Sequence, residues 1–143
     1  VLAGSYLDEK LRELLMENLI DDVEETVKLV GDEDGKGNPP LGSFSSRIQA
    51  CYCLQLIDLS LKNDLDYIRK IRNRFAHGQP GLSFEEQQVA DWCRNIDVAN
   101  EFSEIITYRP RARFIITAGV AALVLKAARE SIRPDPFPHP PQP

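Results

Sequence analysis

Apolar residues recur along this chain at three- and four-residue intervals, the spacing that lines up one face of an α-helix. Leu7, Leu11, Leu14, Leu15 and Leu19 mark a first amphipathic helix over Leu2–Leu19. Asp22 followed by Glu25 has the spacing of a capping box, in which each side chain takes up a free amide of the first turn. A short helix is predicted from there, ending before Gly31. The stretch GDEDGKGNPPLGS from Gly31 is a loop by composition. Ser43 or Ser45 can cap the next helix, RIQACYCLQLIDL, which is apolar nearly all round and so belongs at the centre of the fold, running to about Leu59. Ser60 caps a further long helix that runs to His77, where Gly78, Pro80 and Gly81 stop it. Ser83 and Glu86 have the capping-box spacing again, opening a helix that carries Val89, Trp92, Cys93 and Ile96. Asp97–Arg109 is ambiguous, and Pro110 suits the first turn of a last helix reaching about Ser131.

No segment of useful length alternates with the period of a strand, and no internal repeat is visible. The predicted fold is therefore an all-α, single-domain bundle of about five to seven helices over residues 1–132. After Arg133 the tail, PDPFPHPPQP, is too rich in proline for a helix; residues 133–143 read as extended or disordered. The length of 143 residues suits one domain, and 43% apolar with 27% charged residues argues against bulk disorder. The longest apolar run, Phe114–Leu125, falls well short of the ~20 residues of a membrane span and reads as a core helix. No signal peptide is visible, and Val1 opens the chain inside a helix already under way, which leaves room for residues upstream.

Charge narrows the function classes. A net charge of -5 is the opposite of what a free-standing DNA-binding domain carries, since Lys and Arg on phosphates supply most of its affinity. Cys51, Cys53 and Cys93 form no C-x-x-C pair and read as buried small hydrophobes in a reducing cytosol. With two histidines in the chain, His77 and His139, neither a metal site nor a bound cofactor is expected.

The helix that ends at His77 breaks its own pattern. On a helical wheel Leu61, Leu65, Ile68, Ile71 and Phe75 share one face, and Arg72 falls inside the same arc. A guanidinium aimed at a core or an interface needs a partner, and Asp8 or Glu9 of the first helix can supply a carboxylate. Arg69, Lys70, Asn73, Arg74 and His77 make up the polar side. One reading is a structural clamp, with His77 favoured at the helix C-terminus by the dipole. The other is a polar cleft in which an arginine fixes a phosphate and a histidine moves a proton.

The runs LGSFSSRIQACYCLQLI, LDYIRKIRNRFAHG and LSFEEQQVADWCRN, with YLDEKLRELL before them and YRPRARFI after, resemble the mannitol operon repressor family over nearly all of the chain to Ser131. The resemblance implies an all-helical bacterial transcriptional regulator of sugar-alcohol uptake. It also implies kinship with the HEPN group of helical domains, many of which cleave RNA without metal through an R-x4–6-H motif at a dimer interface. Arg72 and His77 fall on that motif, with Asn73 where the group often has a polar residue.

Two functions follow. In the first, the domain regulates through protein contacts in the cytoplasm, as no basic recognition helix of a helix-turn-helix is apparent and duplex DNA is bound weakly or indirectly. In the alternative, it is an endoribonuclease in which His77 is general acid or base and Arg72 stabilises charge on the phosphate. Against the alternative, residues five apart on a helix are separated by about 140°. The expected partners are a second copy of the chain, paired through the Arg72/His77 helix, and another regulatory protein. RNA is the partner under the alternative, and no membrane contact is expected.

Overall fold

The computed structural model describes residues 2–97 and 109–131, which form six helices and no strand. Helix α1 (Leu2–Glu17) is buried along Leu7, Leu11, Leu14 and Leu15, the predicted stripe. Helix α2 (Val23–Val30) is capped by Asp22, whose carboxylate accepts from Glu25 N. The Glu25 side chain binds Lys28 instead, so that half of the expected box is not made. Helix α3 (Phe44–Cys53) starts at Ser43, and there the reciprocal box does form, with Ser46 as its other member. It is shorter than expected. The chain leaves the helix after Cys53 and passes through Gln55 at φ 60, so Tyr52, Cys53, Leu54 and Gln55 are exposed. The all-round apolar pattern thus belongs to a helix plus a turn, and Cys53 is a surface thiol while Cys51 and Cys93 are buried.

Helix α4 (Leu59–His77) begins two residues earlier than a Ser60 cap implies, because Asp58 accepts from Leu61 N at 2.8 Å. Helix α5 (Gln87–Arg94) is capped by Glu86, which accepts from Val89 N, while Ser83 only receives Glu85 N within the preceding turn. Helix α6 (Pro110–Glu130) has the expected proline in its first turn. Residues 98–108 of the ambiguous stretch Asp97–Arg109, and the tail 133–143, lie outside the described residues.

Helix α1 is the hub, packed on α6 and α3, with α4 completing the core. The stripe Leu61, Leu65, Ile68 and Ile71 of α4 is buried in that core, and Phe75 stacks on Phe84, which in turn meets Phe114 of α6. Arginines fasten the corners. Arg47 donates to Leu41 O and Val30 O and to Asp8 Oδ1, tying α3 to α1 and to both ends of the loop after α2. Arg113 donates to the carbonyls of Cys93, Arg94 and Ile96, closing the end of α5 onto α6. Free helix-end carbonyls need donors, and a guanidinium offers several in one plane. Asp64, a buried carboxylate on α4 that the pattern did not flag, accepts from Asp97 N at 3.0 Å. No described helix is long and apolar enough to cross a membrane.

A basic groove between α4 and α5

Helix α4 stays helical through His77, so the angular offset between Arg72 and His77 persists and the two face different neighbours. Arg72 points to α1 and α3. Its Nη1 lies 3.9 Å from Asp8 Oδ2, its Nη2 donates to Asn73 Oδ1 at 3.3 Å, and its guanidinium sits 4.9 Å from the centre of the Phe44 ring. Its stem crosses α1 at Gly4, where a Cβ would stand 2.6 Å from Arg72 Cδ, so the absence of a side chain at residue 4 leaves room for the stem. Of the two carboxylates expected to pair with Arg72, Asp8 is the one within reach; Glu9 is held by Arg12 at 2.7 Å, and Arg72 keeps 23% of its side chain exposed. Asp8 is shared: its shorter contact, 2.9 Å, is to Arg47.

His77 is exposed and belongs to the other side of the helix. Arg69, Lys70, Asn73, Arg74 and His77 line an open groove of about 310 Å³, closed on its far side by Trp92 of α5. Arg72 does not line it; only Asn73 touches both settings, lining the groove while accepting from Arg72. The groove cations are loosely held. Arg69 Nε is buried and makes no hydrogen bond, with Asp66 Oδ1 3.6 Å away. Arg74 Nη2 lies 3.6 Å from Glu86 Oε1, and Lys70 Nζ sits over the Tyr67 ring at 5.3 Å. Gly78 lets the chain turn tightly beneath His77, since a Cβ there would come within 2.5 Å of Arg74 O.

Trp92 packs against the core, as the apolar spacing of its helix predicts. Its second role arises because α5 lies against α4, a contact that spacing within either helix does not encode. Behind it, burial pushes the Cys93 thiol up to about 11, although Arg113 pulls the other way, so that sulfur stays protonated and inert at neutral pH. Among the described residues no group of three or more His, Cys, Asp or Glu side chains could hold a metal ion. What the groove offers is positive charge, N–H donors and one indole face, a set suited to carboxylates or phosphates carried on a chain with apolar groups.

Comparison with family models, with curated proteins and with solved structures finds no match for this chain.

Proposed function

We propose that this chain is a regulatory binding domain of a bacterial transcriptional regulator, similar to the mannitol operon repressors, and that it acts in the cytoplasm by holding an acidic segment of another regulatory protein in the α4–α5 groove. The observation that carries this reading is the clustering of Arg69, Lys70, Arg74 and His77 around Trp92 on a chain whose net charge is -5. Such a local reversal of sign attracts an anionic partner while the rest of the surface repels it. Carboxylates spaced along an extended segment could each meet one cation, and an apolar or aromatic side chain between them could rest on the indole.

The nuclease alternative is less well supported, because Arg72 is turned toward Asp8 and Phe44 and does not enter the groove that His77 lines. Phosphate chemistry at His77 would need its stabilising arginine from elsewhere.

Trp92 is the chain's one tryptophan, so its fluorescence reports on the groove. Titration with a peptide of alternating Asp, Glu and Leu should change that fluorescence, with an affinity that falls as salt rises. Lys70→Glu with Arg74→Glu should abolish the change and leave the circular dichroism intact. A fluorescence signal indifferent to the peptide would remove the proposal. Cleavage of labelled RNA by the wild type, lost in His77→Ala, would install the nuclease reading in its place.

A further inference from the structure

Helix α6 is apolar on two opposite sides. Phe114, Thr117, Ala118, Ala121 and Leu125 face the core. On the other side Ile115 is 55% and Leu123 68% exposed, with Gly119 exposed between them and Ile116 and Val120 only partly covered. From Phe114 to Leu125 the helix carries no charged residue, so the outward strip from Ala112 to Ala127 runs for about 24 Å at the α-helical rise. Isolated exposed apolar residues are ordinary, but a continuous strip of this length on a surface otherwise rich in charge marks a contact.

We infer that this face binds a second copy of the chain, the two α6 helices lying antiparallel about a two-fold axis level with Ala121. Three features of the strip favour its own copy as the occupant. Ala112, Ile116, Gly119, Leu123, Lys126 and Glu130 follow one another by alternating steps of four and three, the seam of a helix pair. In the stated register Leu123, the most exposed large apolar residue of α6, lies over the partner's Gly119. A Cβ at Gly119 would meet nothing within 4 Å, so that position is an open notch, and the two-fold axis fills the notch twice. Finally, the charges lie at the ends and complement one another. Glu130 comes level with the partner's Ala112, beside its Arg111, while Lys126 lies across the partner's Ile116 and can cover it with its methylene stem. Antiparallel packing also sets the positive end of each helix against the negative end of the other.

This moves the dimer contact away from α4. The apolar stripe of α4 that was expected to pair two copies is buried in its own core, and what α4 leaves outside is the basic groove. The interface and the groove are therefore separate surfaces on different helices, and each can fail without the other.

Sedimentation velocity of the full chain at micromolar concentrations tests the inference. The wild type should be a dimer that persists at high salt, because the centre of the contact is uncharged. Leu123→Arg should give a monomer with unchanged helicity that melts like wild type diluted until it too is monomeric, since the side chain is exposed in the single chain. Gly119→Leu, which fills the notch with a better helix former, should weaken the dimer tenfold or more while preserving the fold. A wild type that stays monomeric, or a dimer that survives both substitutions, would overturn the inference. So would a Leu123→Arg chain that melts below wild type when both are diluted to monomers, since the strip would then be covered by the chain's own residues.

Discussion

The two longest helices make opposite use of their apolar residues. Helix α4 keeps one stripe, buries it, and gathers Arg69, Lys70, Arg74 and His77 on one margin outside it. Helix α6 buries one side against α1 and α5 and leaves Ile115 and Leu123 facing outward. Their arginines differ in the same way. Arg113 of α6 is almost wholly buried and donates to three backbone carbonyls, whereas Arg72 of α4 is half-buried and shares its carboxylate with Arg47. The contrast separates two reasons for an unusual residue on a helix face: it can fasten the fold, or it can be available to something outside.

The largest effect should come from the arginines. Arg113→Ala removes the guanidinium that bridges the carbonyls of Cys93, Arg94 and Ile96 and should cost about 4 kcal/mol of stability. Arg72→Ala should cost about 1 kcal/mol, because Asp8 retains Arg47 at 2.9 Å and the lost contact is long and partly wet. Urea denaturation of the two variants side by side checks the ranking, and equal losses would erase the distinction between them.

Next come the apolar faces. Leu65→Ala on α4 opens a cavity in the core and should cost about 3 kcal/mol. Leu123→Ala on α6 should change the stability of the single chain by less than about 0.5 kcal/mol. If chemical denaturation at concentrations low enough to hold the protein monomeric gives Leu123→Ala a loss near that of Leu65→Ala, the outward strip is part of the core.

The last comparison is set by pH. The Cys93 thiol is raised in the folded chain, so the folded state holds a proton that the unfolded state gives up sooner. Its contribution is intact below the ordinary thiol range and is lost as pH climbs toward about 11. A shift of this size corresponds to roughly 3 kcal/mol over that window, and Cys93→Ala should flatten the slope measured in urea melts between those limits. The exposed Cys53 should alkylate readily at neutral pH, whereas Cys51 and Cys93 should react only on unfolding.

Helix positions were legible in the sequence because leucine periodicity and cap residues are local signals, as α1, α2 and α6 show. The places where the pattern misled are those decided by tertiary contacts or by competing caps. Nothing in CYCLQLIDL announces the positive φ at Gln55 that ends α3 early, and Asp58 outcompetes Ser60 because its carboxylate reaches Leu61 N. Of the candidate site, the run Arg69–His77 was visible as a polar margin, and the pairing of Arg72 with Asp8 followed from its place in an apolar arc. The separation of Arg72 from His77 was implicit in the helical angle. Trp92 as a wall of the groove, and the buried Arg47 and Arg113, were not legible, since their partners lie on other elements or are backbone carbonyls that carry no side-chain signature.

The anchoring by Arg47 has a consequence for engineering. The loop between α2 and α3 is pinched at its base, where Leu41 N donates to Leu29 O at 2.8 Å and Arg47 grips Val30 O and Leu41 O. Its tip, from Glu33 to Asn38, is exposed. A base held that firmly isolates the tip from the bundle, and the entropy of closing a longer loop grows only slowly with length. A peptide epitope or a small reporter domain grafted between Gly35 and Gly37 would hang from a fixed stem without straining the helices, giving a handle distant in the chain from both α4 and α6.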